Sequence, residues 1–378
     1  MVRTLGVEEE LLLVDPASGR SAAGAPRVLK QHREHGRGRG GLGPATDALD
    51  QELFRHQLET RTDPTRDAAD AVAQLATARR TAGEAARQAG LATIASGFDP
   101  LGGDRTAVTT NDRYQSMVDT FGAIGRGGGT CGMHVHVEIE SDEEGVGVID
   151  RIAPWLPVLL AISANSPFGD GRDSGYASWR AQMWARWPSA GSTEPFGSAQ
   201  AYHEASRFLL ESGAARDLGM LYFDARLSHG QPTVEIRVCD VCADPETAVL
   251  VAVLVRGLVE TEARHWSQSR PVEGWRSEAL RAAHWRASRY GLSDTLVHPT
   301  ERERRPAPVV LDALLEHVGP ALADAGDLER ATAGLHRALG QNGASRQRAA
   351  YERSGSVEGV VADLIRRTEA SWDSQDLL

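Results

Sequence analysis

The sequence predicts an α+β fold with an antiparallel or mixed sheet. Strand-like segments lie mainly in the first two thirds of the chain, at residues 4–14, 91–97, 130–140 and 233–241. Helical spacing of apolar residues dominates the last third. Because strands and helices are segregated instead of alternating, the α+β class is favoured over a parallel α/β sheet.

The remaining elements follow from helix signals and from glycine and proline. Helices are predicted from Asp63-Pro64 to about Gly90, over 111–124, and over 142–165 with interruptions at Pro154 and Pro157. Another helix is predicted after Asp244-Pro245. From 273 to the end the chain is predicted to be helical, with breaks near 291–308, Gly319-Pro320 and Gly340. The glycine-rich segment 33–43 is predicted to be a flexible loop. The stretch 166–200, rich in Gly, Pro, Trp and Arg, is predicted to be irregular and typical of a binding segment.

Length and composition narrow the functional classes. The 378 residues are predicted to form a single domain, 1–378, with a largely helical part from about 245. A net charge of −11 argues against nucleic acid as a partner. No apolar run of membrane-spanning length is visible and three carboxylates lie near the N-terminus, so neither a membrane partner nor a signal peptide is expected and the cytoplasm is the expected compartment. The sole lysine, Lys30, follows no P-loop glycine pattern.

Three strands carry ionisable residues at alternating positions. Residues i and i+2 of a strand share a face, so Glu8 and Glu10 form one pair, His134 and His136 a second, and Glu235 and Arg237 a third. Any one pair taken alone is more simply a solvent-facing strand. Together they supply Glu, His and Arg, the side chains that bind hard divalent cations and phosphate.

Two more carboxylates, Glu52 and Glu59, lie seven residues apart. If they converge with Glu8, Glu10 and Glu235, five negative charges share one cavity. Such crowding is tolerable only when the carboxylates take up protons or bind cations. Two or three Mg²⁺ or Mn²⁺ ions, together with ATP, would compensate it.

Several long motifs resemble one known family. The segments are TLGVEEELLLVDPASG, CGMHVHVEI, ANSPFGDGRDSGYASWRAQMWARWPSAG, PTVEIRVCDV, SRYGL and NGASRQRAAY. In this order they are similar to the bacterial glutamate–cysteine ligase type 2 (carboxylate–amine ligase) family, over nearly the whole chain. The resemblance implies a fold related to the glutamine synthetase catalytic domain: a curved, mostly antiparallel sheet forming a funnel, with helices packed outside.

The resemblance also implies roles for single residues. Metal ligands are implied at Glu8, Glu10, Glu52, Glu59, His134 and Glu235. Asp47 or Asp50 is an alternative to Glu52 in this match. His136 is implied to face the phosphates of ATP, and Arg237 is implied to be the catalytic arginine. The residues that resemble the family's substrate-binding loop are Arg172, Tyr176, Arg180 and Arg186.

The implied activity is ATP-dependent amide formation through an acyl phosphate. The expected donor is the γ-carboxylate of glutamate, the acceptor is an amine or amino acid such as cysteine, and a homodimer is possible. Two alternatives remain open: a zinc amide hydrolase built on the His-x-His strand, and a degenerate ligase fold that only binds amino acid or nucleotide. The Cys239-x-x-Cys242 pair lacks a second such motif and is interpreted as buried and structural.

Overall fold

A computed structural model of the chain describes residues 2–36, 48–103 and 107–373. The strands are β1 Leu5–Val14, β2 Leu49–Gln51, β3 Gln57–Arg61, β4 Ala92–Ile94, β5 Gly132–Glu138, β6 Phe168–Gly169, β7 Arg172–Asp173, β8 Ala225–Leu227, β9 Thr233–Asp240, β10 Thr295–Val297 and β11 Arg304–Pro306. The helices are α1 Ala25–Gly36, α2 Ala68–Gln88, α3 Asp112–Phe121, α4 Asp142–Ile152, α5 Leu156–Ser163, α6 Trp179–Trp184, α7 Ala199–Glu211, α8 Pro245–Ser267, α9 Ser277–Tyr290, α10 Ala307–Ala325, α11 Leu328–Gly340, α12 Gly343–Ser354 and α13 Val357–Asp373.

One seven-stranded sheet organises the structure. Its order is β2-β3-β1-β5-β9-β8, with β4 pairing the end of β1, and every pairing is antiparallel. The α+β class and the mostly antiparallel sheet predicted from the sequence are therefore confirmed. Two small hairpins, β6-β7 and β10-β11, lie outside this sheet.

The sheet has two chemically different faces because side chains alternate along each strand. On one face, Val7, Met133, Val135 and Ile236 are buried in the main apolar core, to which residues of α2, α5 and α8 also contribute. The opposite face carries the ionisable pairs. Helices α2, α5 and α8 cover the core face, while the ionisable face lines a cavity whose wall includes residues of α3 and α6.

A buried ion pair ties this core face to α2. Glu9 lies between the two predicted ligands of β1, and its carboxylate receives two hydrogen bonds from Arg79, at 2.8 and 2.7 Å. Both side chains are fully buried, and Arg79 also donates to the carbonyl of Cys242. The central carboxylate of the Glu-Glu-Glu run is thus structural.

The four strands predicted from the sequence are confirmed, and the other seven strands of the described residues were missed, three of them in the main sheet. Strands β2, β3 and β8 have only three to five residues each and a mixed polar pattern. β3 matters most, because it carries Glu59 beside Glu10. Short strands of this kind are defined by their neighbours in the sheet and not by their own periodicity.

Several helix bounds differ from the predictions, and helices α1, α6 and α7 were not predicted. The break predicted at Gly319-Pro320 is wrong, because α10 continues through Pro320 to Ala325. Residues 33–36, predicted to begin a loop, end α1, while residues 37–43 of that predicted loop lie outside the described residues. The interruption at Pro154 is confirmed, because a short 3₁₀ turn over Ala153–Trp155 separates α4 from α5. The interruption predicted at Pro157 is wrong, because this residue lies in the first turn of α5.

Within the described residues, one segment is long and apolar enough to cross a membrane. It is Asp142–Ser163, which comprises α4, the 3₁₀ turn and α5. Inside the protein, 94% of its most apolar window is buried. α4 and α5 both contact α8, so the segment forms part of the core.

Candidate active site

Strand register aligns the ionisable side chains into a patch on one face of the sheet. Glu8 pairs directly with His134, Glu10 with Glu59, and His136 with Glu235. Cβ atoms of directly opposite residues in antiparallel strands lie about 4.5–5.5 Å apart. Residues separated by 49 to 126 positions in sequence therefore become neighbours.

The first group within this patch is a carboxylate cluster formed by Glu10, Glu52 and Glu59. One carboxylate oxygen of each lies within 4.8 Å of the others. Glu52 follows β2, and the hydroxyl of Thr109 donates to its carbonyl at 2.6 Å. Burial and the Glu52 carboxylate raise the pKa of Glu59 well above its ordinary value, and they also raise the pKa of Glu10. Three close oxygen donors of this kind match the ligand preference of Mg²⁺.

The second group combines carboxylates with histidines. Nδ1 of His134 lies 3.3 Å from Oε2 of Glu8 and 3.9 Å from Oε1 of Glu235. His134 lies at an irregularity in the β5-β9 pairing, where the register shifts between Met133 and Val135. Burial and the charge of Arg237 lower the pKa of His134, so the neutral imidazole that binds metals is favoured.

His136 presents an unused ring nitrogen to the same space. Its Nδ1 lies 3.0 Å from the hydroxyl of Thr233. Nε2 is buried, has no hydrogen-bond partner among the described residues, and lies 3.7 Å from Oε2 of Glu8. A buried polar atom without a partner is costly unless a ligand satisfies it, which fits a phosphate oxygen or a cation.

Two arginines hold Glu235. Arg226 forms a two-point contact with its carboxylate at 2.7 and 3.1 Å and also donates to the carbonyls of Gly219 and Leu221. Arg237 contacts the same carboxylate from its own strand. Burial alone would raise the pKa of Glu235, but the charges of Arg237 and Arg226 outweigh it and lower the pKa. Glu235 is therefore ionised and fixed in orientation.

A cavity of about 420 Å³ lies over this patch. Its polar part is lined by Glu8, Glu10, Glu52, Glu59, His134, His136, Arg226, Glu235 and Arg237, and its apolar part by Leu53, Tyr114, Met117, Ile124, Met183, Trp184, Trp187 and Tyr222. The two parts meet at Tyr222, over whose ring the Arg237 guanidinium lies 5.8 Å from the centroid. A volume in this range suits a small-molecule substrate.

The predicted substrate-loop residues are spread out. Arg186 is exposed and lines the cavity. Arg180 is buried outside that lining and donates to the carbonyls of Val238 and Arg237. Arg172 lies exposed on β7, and the Tyr176 hydroxyl accepts a hydrogen bond from Trp285. The structure thus brings only Arg186 of the four into the lining.

The alternatives to Glu52 lie elsewhere. Asp50 is in β2 and forms an ion pair with Arg61 at 2.5 Å, away from the carboxylate cluster. Asp47 lies outside the described residues. Among the described acidic residues of this segment, Glu52 is the one that joins Glu10 and Glu59.

Sequence reasoning missed several residues of the cavity. Arg226 lies in an unrecognised strand, and Arg113 at the cavity wall is held by Asp217 at 2.7 and 3.0 Å. The aromatic residues of the apolar part carry no spacing signal, because they come from segments far apart in the chain. The pairing of β8 with β9 would have been the only clue to Arg226.

The cysteine pair lies apart from this chemistry. Cys239 and Cys242 are buried and free of disulfide bonds. Burial raises the pKa of both thiols, to about 12 for Cys239. Neutral, inaccessible thiols fit the structural interpretation of this motif.

Comparison with known proteins gives consistent results over the whole chain. The sequence model of glutamate–cysteine ligase family 2 matches residues 4–367. A Nocardioides protein with the provisional name glutamate–cysteine ligase 2-1 is 68% identical over 376 residues, covering 100% of this chain and 98% of that protein. A Streptomyces avermitilis protein with the same provisional name is 48% identical, covering 97% and 100%.

Solved structures share the fold at low identity. The glutamate–cysteine ligase of Francisella tularensis, in complex with AMP, superposes with a TM-score of 0.65 at 12% identity, covering 100% of this chain and 90% of that one. A bifunctional glutathione synthetase from Pasteurella multocida gives 0.65 at 15% identity. The match covers 98% of this chain and about half, 52%, of that enzyme.

Fold and family together define the class of protein: an ATP-dependent carboxylate–amine ligase. The polar cavity is consistent with that class, because it combines groups suited to cations, phosphate and an organic substrate. The chain belongs to glutamate–cysteine ligase family 2.

Proposed function

We propose that the enzyme activates the γ-carboxylate of glutamate with ATP as an acyl phosphate and transfers the acyl group to an amine or amino acid, cysteine being one candidate. The observation that carries this proposal is the meeting of the carboxylate cluster, the two histidines and Arg237 in one cavity. A carboxylate is a poor electrophile, and phosphorylation gives it a leaving group. The relatives' names support glutamate as donor.

Magnesium, or manganese in its place, fits the donor set. Glu10, Glu52 and Glu59 would hold one ion, and Glu8, His134 and Glu235 another. A bound ion supplies positive charge that neutralises the phosphate oxygens during transfer. The raised pKa of Glu59 supports this assignment, because the cluster in the absence of a cation favours the protonated carboxyl.

Side chains of the protein itself have the remaining roles in this proposal. Arg237 presents a fixed positive charge beside Glu235, where it stabilises the phosphoryl group in transit. Arg226 orients Glu235, and Nε2 of His136 faces a phosphate oxygen of ATP. Arg186, exposed at the cavity wall, attracts the substrate carboxylates.

The apolar part of the cavity receives the acceptor in this proposal. It adjoins Arg237 through Tyr222, so an amine there lies beside the acyl phosphate. An apolar environment favours the neutral amine, the form that attacks carbon. Burial raises the pKa of Tyr222 to about 12, so its phenol stays protonated and donates a hydrogen bond instead of accepting the amine proton.

The further partners and the location are proposed with this function. The substrates are ATP, an amino-acid donor and an amine, with no nucleic acid or membrane partner, and a homodimer remains possible. The cytoplasm supplies ATP and reduced thiols, and the free cysteines fit that compartment. A single domain carries the whole activity.

An ADP-release assay tests the proposal. Purified protein is incubated with ATP, Mg²⁺, glutamate and a panel of amines including cysteine, and products are identified by mass. Arg237→Ala and Glu235→Ala should each lower ADP release at least about 100-fold, because each removes charge from the reacting centre. Arg276→Ala, an exposed change at the start of α9, is the matched control.

Three results would overturn parts of this proposal. Near wild-type turnover of either site variant, with an intact fold by circular dichroism, would remove that residue from the reaction. Amide hydrolysis that requires Zn²⁺ and ignores ATP would replace the ligase with the hydrolase. Binding of ATP and glutamate with no amine giving ADP release would favour a binding protein.

A further inference from the structure

A second cavity, of about 250 Å³, lies beside the first one. The two cavities share Trp184 as a wall. Its lining includes Asp224 and Ser192, and also the basic residues Arg180, Arg281 and His284. It therefore combines one acidic group with three basic side chains in a space the size of an amino acid.

Asp224 is the acidic group, and it lacks a cation. Asp224 is only 4% exposed, and its carboxylate accepts one hydrogen bond, from the hydroxyl of Ser192 at 2.5 Å. No arginine, lysine or histidine nitrogen of the described residues lies within 4.0 Å of its carboxylate. A buried carboxylate with one neutral donor is costly, and an ammonium group would compensate it.

The basic residues of the cavity also have unused hydrogen-bond donors. Arg180 is 3% exposed; its Nη1 lies 3.9 Å from Oδ1 of Asp240, and its Nε has no hydrogen-bond partner among the described residues. Arg281 is exposed on α9 and has no carboxylate of the described residues within 4.0 Å. Guanidinium groups bind carboxylates through paired hydrogen bonds. These residues are suited to the carboxylate of a ligand.

Asp224 and Arg180 are both hydrogen-bonded to the backbone of Arg237 in β9. The carbonyl of Asp224 accepts a hydrogen bond from the backbone N–H of Arg237 at 2.8 Å. Arg180 donates to the carbonyl of Arg237 at 3.2 Å. A ligand that orders Asp224 and Arg180 would therefore stabilise the position of Arg237.

We propose that this cavity binds a free amino acid, with its ammonium on Asp224 and its carboxylate on Arg281 and Arg180. Two sources have this chemistry: the head group of the donor glutamate, and an amino acid that acts as an effector of the ligase. The binding site itself stands without the proposed reaction. Its use for the donor rests on the proposed function.

Calorimetric titration without ATP or metal tests the site directly. Glutamate and other free amino acids are compared with glutarate, which lacks the ammonium, and with simple primary amines, which lack the carboxylate. At least one amino acid should bind, and the analogues that lack either charge should bind at least tenfold more weakly. Asp224→Asn and Arg281→Gln should each weaken that amino acid's binding at least tenfold.

Two matched control variants distinguish a loss of amino-acid recognition from a general loss of structure. Asp150→Asn neutralises another buried aspartate, one that holds the backbone of Phe196 and Gly197, and Arg276→Gln removes a neighbouring exposed guanidinium. Both should bind as the wild type does. Because Arg281 is exposed, its variant remains informative if Asp224→Asn unfolds.

The outcomes distinguish the two sources and the failure of the idea. A donor site is supported if Arg281→Gln raises the KM for glutamate, and an effector site if that KM is unchanged while an added amino acid no longer alters the rate. Unchanged affinity in both Asp224→Asn and Arg281→Gln overturns the site. The absence of any amino-acid binding overturns it as well, whatever the turnover assay shows.

Discussion

Neutralising Glu59 should stabilise the protein in the absence of divalent cations at pH 8. One of its carboxylate oxygens lies within 4.8 Å of one oxygen each of Glu10 and Glu52. Two unit charges at that distance repel by about 3.5 kcal/mol at an effective dielectric constant of about 20. Water in the open cavity screens part of this, which leaves about 1–3 kcal/mol for Glu59→Gln.

The direction of the pH dependence follows from the raised pKa of Glu59, which burial and Glu52 cause. A carboxyl whose pKa is raised on folding binds its proton more tightly in the folded state. Its favourable contribution is present at acidic pH and is lost as the pH rises through the raised pKa. The advantage of Glu59→Gln should therefore appear at pH 8 and vanish near pH 4.5.

Thermal denaturation in a chelating buffer measures the effect. For a chain of 378 residues, 1 kcal/mol corresponds to a shift in Tm of about 1–2 °C, so an increase of about 1–5 °C is expected. Added Mg²⁺ should raise the Tm of the wild type and raise that of Glu59→Gln much less. Glu84→Gln, an exposed change on α2, is the control and should do neither.

Two results would refute this reasoning. The first is a Glu59→Gln variant that is no more stable than the wild type at pH 8 without metal, while Glu84→Gln behaves normally. The second is equal stabilisation of both proteins by Mg²⁺. Either result would mean that the three carboxylates are not a repulsive cluster that binds a cation.

Two other changes test how the site is supported. Arg226→Lys keeps the charge but loses the two-point contact with Glu235, so kcat should fall about 10- to 100-fold with little change in Tm, measured by ADP release and thermal denaturation; an unchanged kcat would contradict the orienting role. Arg79→Met leaves Glu9 buried without its partner and should lower the free energy of unfolding by about 3–5 kcal/mol in urea denaturation. A loss below about 1 kcal/mol would contradict a stabilising role for this ion pair.

The sequence determined most of the long elements and which site residues share a face of their strand. Alternation along β1, β5 and β9 placed Glu8 with Glu10, His134 with His136, and Glu235 with Arg237 on common faces, because strand geometry is local. The cap at Asp244 and the interruption at Pro154 were equally readable, since capping and proline effects act within a few residues.

Tertiary structure decided which of these residues meet. Register brought Glu59 opposite Glu10, and Arg226 opposite Glu235, through two strands too short to show a pattern. The three consecutive glutamates of β1 have two different environments. Glu9 forms a buried ion pair with Arg79 of α2, while Glu8 and Glu10 face the cavity.

The arginines of the predicted substrate loop show the same limitation of sequence reasoning. They are residues of one type in one segment, yet Arg186 lines the main cavity while Arg180 lies in the wall of the second. A local pattern specifies which way a side chain points along its own element. Distances between elements depend on packing and pairing across the whole chain, and only those distances distinguish a cation site or a substrate pocket from a solvent-facing strand.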